Sequence, residues 1–321
     1  MGKATQKVSE RSGSVKELPI LSIDFSDCPC HLEDFFVRIL SRRYRLHRED
    51  RPEFLVYALT GHRHRLYNCV KIWTHHEVYR PSWKECDYAI LPFWGNDPRH
   101  YYLPIFAYNR PPDPLVRRNP DWERIRSEKT RFCALLSAYV DRSVLHRMRF
   151  FNELNRRKKV DSIGRAGNNT GWKAPGGHDP KLEALRPYKF TIAFENKELA
   201  GWTTEKMYDP LAVHTVPIFW GDRRAVEYFN PEAFINAYDF KSLSELADYV
   251  CAVDADEKLY RKYLEAPPFR NNVPPDVFSE DRLLDFLDRV FTTPNKPVAQ
   301  RRWFFHLTKW RLAKRNKLPS E

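Results

Sequence analysis

The chain has 321 residues, 42% apolar and 14% aromatic, the composition of a packed globular protein with room for two domains. Its formal charge of +12 calls for a negatively charged partner: a phosphate-bearing ligand, nucleic acid or an anionic membrane. No run of eighteen apolar residues occurs, which excludes a membrane-spanning helix from this sequence.

The opening MGKATQKVSERSGSVKE has basic residues with no apolar stretch behind them, so residues 1–17 read as a disordered segment and not a signal peptide. A Met-Gly start fits myristoylation only in part, because Gln6 stands where Ser or Thr is needed. LPILSIDF (18–25) reads as a first buried strand. His31–Ser41 then places Leu32, Phe35, Phe36, Ile39 and Leu40 at helical spacing. FLVYAL (54–59), VKIWT (70–74) and DYAIL (87–91) are short apolar runs bounded by polar residues and read as strands. Six cysteines without an export signal are expected as reduced thiols, mostly in the core. Cys28-Pro29-Cys30 has the wrong spacing for a redox pair, and no second cluster completes a zinc site.

From Pro98 to Trp122 the prolines 104, 111, 112, 114 and 120 exclude regular helix across most of the segment, which predicts a long surface connection. FCALLSAY (132–139) then reads as a fresh strand, and Arg142–Arg156 as a helix with Val144, Leu145, Met148, Phe151 and Leu154 inward. The domain boundary is accordingly placed near Glu128, giving domains over 18–128 and 129–299. The second half alternates: strand KFTIAF (189–194), helix Thr204–His214, strand TVPIFW (215–220), strand FINAY (234–238), helix Ser242–Val253. Such alternation predicts a parallel sheet with crossover helices, and a ligand beyond the carboxyl ends of the strands.

The densest chemistry lies in YKFTIAFENKELAGWTTEKMYDPLAVHTVPIFWGD (188–222). A strand ends at Glu195-Asn196, a loop with Gly201 follows, and Thr203 or Thr204 opens a helix whose start Glu205 complements. A helix start of this kind is a phosphate site, because its orphan N–H groups point at the ligand. Lys206 in the first turn opposes the helix dipole, and a phosphate nearby would turn that cost into a gain. The same pattern is also that of an ordinary capped crossover helix, and by itself does not choose.

The residues themselves are more specific. FEN, W-x-TEK and H-x-VPI-x-WG, continuing into FNPEAFINAYDF (229–240), resemble the donor-binding signature of the alpha-1,3/1,4-fucosyltransferases, glycosyltransferase family 10. KKVDSIGRAGNN (158–169) resembles the family's V-D-S-x-G-R segment, and puts Arg165 at its nucleotide-phosphate arginine. Glu77-Val78-Tyr79-Arg80-Pro81 followed by Asp87-Tyr88-Ala89-Ile90 is similar to the family's E-N-x-R-P…DYAI stretch. The resemblance makes Glu77 the general base, a carboxylate that accepts the proton of an attacking hydroxyl, with His75 or His76 as alternative or assisting groups. His76 and Val78 replace the family's Gly and Asn on either side of that glutamate, and Trp202 stands where the family commonly has Tyr. Trp202 keeps the power to stack on a ribose or sugar face but lacks the phenol hydroxyl. Pro210, two turns into its helix, predicts a kink.

The tail QRRWFFHLTKWRLAKRNK (300–317) sets Trp303, Leu307 and Trp310 on one helical face, and residues 301–321 carry half of the net charge. Basic and aromatic residues together suit a helix on an anionic bilayer; packing of the Trp face on the protein body is the alternative. The tail also resembles the basic amphipathic ends of bacterial family members. The resemblance implies an α/β fold of two Rossmann-like domains facing a cleft, the GT-B architecture. It implies GDP-fucose as donor, held by Arg165, Glu195, Asn196, Trp202, Glu205 and Lys206, and an oligosaccharide or lipopolysaccharide-type acceptor fucosylated with inversion at a 3- or 4-hydroxyl of an N-acetylglucosamine-type sugar. No cofactor is required on this reading, a divalent cation at most stimulating, because Arg165 and Lys206 suffice to neutralise a diphosphate. The expected location is the cytoplasm, peripheral on the inner face of the membrane. A transferase for another nucleotide-sugar is the nearest rival. A basic nucleic-acid-binding protein is a further one, against which stand the confinement of half the charge to one tail and the lack of any base-stacking or groove-reading motif.

Overall fold

The computed structural model describes residues 17–294 and Ala299, apart from 59–60, 109, 111 and 139–144. The basic tail over 300–321 and the first sixteen residues therefore lie outside the described residues.

Two parallel sheets organise the chain. The first has six strands in the order β2-β1-β3-β4-β5-β6: β1 Ile20–Ser26, β2 Arg45–His47, β3 Phe54–Tyr57, β4 Val70–Thr74, β5 Tyr88–Leu91 and β6 His100–Tyr102. Its central strands are unbroken apolar runs because both faces are covered, as parallel sheets require. β3 (FLVY) and β4 (VKIWT) are buried at every position. Helix α1, Cys30–Leu40, packs Leu32, Phe35, Phe36, Ile39 and Leu40 against one face. After α2, Trp122–Glu128, the second sheet runs β11-β10-β9-β7-β8. Its strands are β7 Arg131–Leu135, β8 Asp161–Ser162, β9 Tyr188–Phe194, β10 Val216–Trp220 and β11 Ile235–Asn236. Around it lie α3 Leu145–Asn155, α4 His178–Leu185, α5 Glu205–Ala212, α6 Ala225–Tyr228, α7 Leu243–Ala255 and α8 Glu257–Glu265. This is the two-sheet α/β architecture expected from the sequence.

Three expectations need correction. The first is the extent of the second domain, 129–299. The last described helix, α9 Glu280–Thr292, returns to the first sheet, where Leu283, Leu284, Phe286, Leu287 and Val290 join the α1 core. A row of ion pairs holds it there, among them Arg38–Glu280 at 2.7 Å, Arg42–Asp281 at 2.6 Å and Arg43–Asp285 at 2.8 Å. The second concerns residues 98–122, which are not a surface connection. They form strand β6 and single 3-10 turns at Ile105–Tyr108 and Asp113–Leu115, and Phe106 and Leu115 are buried against α5. Prolines forbid a continuous helix but tolerate one turn, and the aromatic residues between them supply the burial. The third concerns α5, which ends at Ala212 instead of kinking and running to His214. Pro210 lies in its final turn, Thr215 N–H closes on the Pro210 carbonyl at 2.8 Å, and His214 turns out at φ 55°.

Of the six cysteines, all free, only Cys69, Cys86 and Cys133 are buried.

Candidate functional site

The carboxyl ends of the two sheets meet at an open cleft of about 650 Å³, a volume suited to a drug-sized or nucleotide-sized ligand. Glu77 and Ile105 line it from the first half of the chain; Arg147, Arg165, Lys173, Asn196, Trp202, Glu205, Lys206 and Asp209 line it from the second.

On the second side the site is built where β9 stops. Glu195 follows the strand directly, its N–H bonded to the Trp220 carbonyl of β10 at 2.8 Å. Its side chain is 2% exposed and does not reach the cleft. One carboxylate oxygen accepts the Thr204 N–H at 2.9 Å and the Thr204 hydroxyl at 2.8 Å; the other faces the Lys206 ammonium at 3.3 Å. Lys206 also pairs with Glu205 at 3.1 Å. Burial pushes the Glu195 carboxyl up from its usual range, with Lys206 opposing. Burial alone would lower the Lys206 ammonium, yet the two carboxylates outweigh it and hold Lys206 charged. Glu205, also against burial, is lowered to about 2 by Lys206.

The sequence reading assigned a phosphate to the free N–H groups of this helix start. The structure instead gives those donors to the protein. Thr204 N–H goes to Glu195, the Lys206 N–H to the Thr204 hydroxyl at 3.4 Å, and the Met207 N–H to the Thr204 carbonyl at 3.1 Å. What the helix start offers a ligand is the Lys206 side chain.

Trp202 is 3% exposed, and its indole N–H donates to Asn196 Oδ1 at 2.8 Å, so the two expected donor contacts form one unit. The loop that carries them is gripped from the first half of the chain. Trp94 N–H bonds the Ala200 carbonyl at 2.9 Å and the Tyr102 hydroxyl bonds the Gly201 carbonyl at 3.1 Å. Buried Asp222 accepts the Gly201 N–H at 2.9 Å. Gly201 sits at φ 87°, and a Cβ there would lie 2.8 Å from Tyr102 and 2.9 Å from Trp94, so only glycine fits.

Arg165 is exposed at the cleft, its Nε bonded to the Ala138 carbonyl at 3.0 Å. The preceding Gly164 lies against the Ser137 backbone, where a Cβ would stand 2.2 Å from the carbonyl oxygen. A second arginine, which the sequence reading missed, is more deeply set. Arg147 on α3 is 4% exposed, with Nε donating to the Phe194 carbonyl at 2.9 Å and Nη1 to the Ser137 hydroxyl at 2.8 Å. The helix is rotated relative to expectation, with Leu145 53% exposed and Arg147, Phe150, Phe151 and Leu154 inward. An arginine at helical spacing with Phe151 and Leu154 was the available signal. Asp209, lining the floor, pairs with Arg110 at 2.8 Å, and burial nonetheless raises it to about 6.

Across the cleft Glu77 lies three residues beyond β4, at the end of the sheet where α/β sites form. Its side chain is exposed and makes no hydrogen bond or ion pair among the described residues. Its backbone N–H donates to His75 Nδ1 at 2.8 Å, and its carbonyl accepts the Tyr79 N–H at 2.9 Å. His76 points away, against His31 at 3.4 Å and the Tyr108 ring, and burial lowers it to about 4. Among the described residues no three His, Cys, Asp or Glu side chains are grouped to hold a metal.

Two family models match the chain. "Glycosyltransferase family 10 (fucosyltransferase) C-term" matches residues 125–273, and "Alpha-(1,3)-fucosyltransferase FucT N-terminal domain" matches 20–109, together most of its length. The alpha-(1,3)-fucosyltransferase FucT of Helicobacter pylori is 34% identical over 119 residues, 37% of this chain and 24% of that protein. The human 4-galactosyl-N-acetylglucosaminide 3-alpha-L-fucosyltransferase FUT6 is 32% identical over 136 residues, 41% of this chain and 35% of that one. The chain thus spans about a quarter to a third of the length of these curated relatives. A crystal structure of an alpha1,3-fucosyltransferase with GDP matches with a TM-score of 0.69 at 21% identity, covering 91% of this chain and 95% of the other. One with GDP-fucose matches at 0.68 and 19%, with the same coverage. These two likenesses establish the fold, which is of the GT-B type.

Proposed function

We propose that this chain, which belongs to glycosyltransferase family 10, the fucosyltransferases, moves L-fucose from GDP-fucose to a hydroxyl of an N-acetylglucosamine-type sugar in a glycan, with inversion. The observation that carries the reading is the division of the cleft: a carboxylate without a partner among the described residues on one wall, and Arg147, Arg165 and Lys206 on the other.

On this reading Glu77 takes the proton from the acceptor hydroxyl as its oxygen attacks the fucose anomeric carbon. The attack comes from the face opposite GDP, the C1–oxygen bond to the diphosphate breaks, and the β-linked donor becomes an α-linked product. Arg147, Arg165 and Lys206 stabilise the charge that grows on the departing diphosphate, fixed in place before the reaction begins. Arg147 suits this best, since its main-chain and Ser137 bonds orient the guanidinium and a guanidinium matches phosphate oxygens bidentately. Glu195 acts indirectly, by fixing the start of α5 and the Lys206 side chain. Asn196 and Trp202 form the wall for ribose or sugar. No cofactor beyond the donor enters the proposal.

Support for a 3-hydroxyl acceptor is the naming of the relatives, an alpha-(1,3)-fucosyltransferase and a 4-galactosyl-N-acetylglucosaminide 3-alpha-L-fucosyltransferase. A donor panel of GDP-fucose, GDP-mannose and UDP-sugars against N-acetyllactosamine tests the whole. Transfer from GDP-fucose alone supports it, and transfer from another donor replaces it. A place on the inner membrane face, through residues 300–317, rests on sequence; deletion from Gln300 should release the protein from anionic liposomes and spare activity on a soluble acceptor.

A further inference from the structure

Beside Glu77 three rings step outward from the first sheet. Trp73, in β4, lies 6.1 Å from His75 in a stacked arrangement. His75 meets Tyr79 edge-on at 5.0 Å and 88°. Tyr79 is 51% exposed, an unusual setting for a large aromatic side chain, and has no second ring partner among the described residues. Its hydroxyl has no hydrogen-bond partner among them either. The same two residues bracket the proposed base. His75 Nδ1 accepts the Glu77 N–H at 2.8 Å and Tyr79 N–H closes on the Glu77 carbonyl at 2.9 Å. Nδ1 also lies 3.4 Å from the Glu77 carbonyl, so both backbone groups of Glu77 face this ring nitrogen, and burial favours the neutral imidazole.

We infer that Tyr79, backed by His75, is the platform on which the apolar face of a neutral accepting sugar lies while its hydroxyl reaches Glu77. The inference rests on the transferase reading and adds the acceptor site to it. A pyranose with equatorial hydroxyls shows a C–H face of low polarity, and an exposed aromatic ring is its complement, with a phenol to meet a hydroxyl at the rim. Tyr79 has the chemistry of such a surface, and the closed turn from Glu77 to Tyr79 holds the two backbones together two residues apart, which keeps the ring close to the carboxylate. The exposure of the ring means that its substitution leaves the core intact.

The test compares the wild-type chain with Tyr79→Ala, Tyr79→Phe and Tyr79→Trp, using N-acetyllactosamine and GDP-fucose. Tyr79→Ala should raise the acceptor KM about tenfold, in line with the loss of one aromatic contact, and change the donor KM less than twofold. Tyr79→Phe and Tyr79→Trp, which keep a ring, should stay within about threefold of wild type for the acceptor. A second arm needs no turnover: saturation-transfer NMR on N-acetyllactosamine with GDP present, where Tyr79→Ala should lose the signal. An unchanged acceptor KM, an equal rise for both substrates, or no saturation transfer from the wild-type protein overturns the platform. Absence of GDP binding and of transfer by the wild-type chain would count separately, against the function itself.

Discussion

Replacing Lys206 with methionine keeps most of the side-chain length and removes one charge from between two carboxylates. Glu195 is wholly buried, and the oxygen that faces the Lys206 ammonium at 3.3 Å has no hydrogen-bond partner among the described residues. Removing one partner of a buried pair costs about 3–5 kcal/mol, because the other charge is left uncompensated. Here the lower end applies: Lys206 is about a quarter exposed, and the two Thr204 bonds to the other oxygen remain. The expected loss is about 3 kcal/mol at pH 8, or about 4–5 °C in melting temperature for a chain of this size. The loss should depend on pH in a definite direction. Glu195 is already raised in the fold, and without Lys206 the main force holding it down is gone. A carboxyl raised by folding stabilises at low pH, where it is protonated, and loses that contribution as pH rises above its unfolded value of about 4.3. The variant should therefore lie closer to wild type at pH 5 than at pH 8. Thermal melts at the two pH values, each with and without GDP, measure both consequences. GDP should raise the melting temperature of the wild type and not of the variant. A pH-independent loss, or an undiminished GDP shift, would refute the proposed coupling of Glu195, Lys206 and the donor.

Glu77→Gln should reduce transfer at least about a hundredfold while GDP affinity, read by calorimetry, stays within about twofold. Near-normal turnover would remove Glu77 from the mechanism. Gly201→Ala should destabilise the fold by about 2 kcal/mol, from the positive φ and the Cβ contacts with Tyr102 and Trp94. The same variant should raise the donor KM, because Asn196 and Trp202 ride on that loop; melts and initial rates check the two effects. Burial lowers His64 and His76 to about 4 and His214 to about 3. Each is neutral in the fold, so its contribution is complete above the unfolded value near 6.5 and is lost as pH falls towards 4. For His64, 4% exposed, the loss is up to about 3 kcal/mol, opposed over pH 4–6 by Asp209, which is raised to about 6. His64→Phe should flatten part of the acid slope of melting temperature against pH; an unaltered slope would exclude His64 as a contributor.

The family relation was legible because it lies in contiguous residues. FEN, W-x-TEK and VPI-x-WG occupy a strand end, a helix start and the next strand, and short-range rules place all three. The core strands were equally legible: β3, β4, β9 and β10 are buried on both faces, so their apolar runs identify them without knowledge of their neighbours. Glu77 could be named as a candidate from its motif, but that its carboxylate lacks a partner depends on what surrounds it.

What only the tertiary structure decided involves partners distant in sequence. The donors at the start of α5 were assigned to a phosphate because a helix start has free N–H groups; Glu195, nine residues earlier, claims the Thr204 N–H by folding back from the end of β9. Arg147 reads as one more charge in a basic helix until that helix is rotated onto the sheet and its guanidinium meets the Phe194 carbonyl, 47 residues away. Residues 98–122 read as a surface connection because their prolines forbid long helices, yet Phe106 and Leu115 are buried against α5 by contacts no local pattern encodes. Helix α9 lies on the first domain because its apolar face and its acids find α1 and its arginines, more than 230 residues earlier. Sequence alone determined the core strands of both sheets, the family and the chemical types available at the cleft. Which charges are neutralised and which are left facing a ligand is a property of the assembled fold, because it depends on distances between groups that the chain itself keeps far apart.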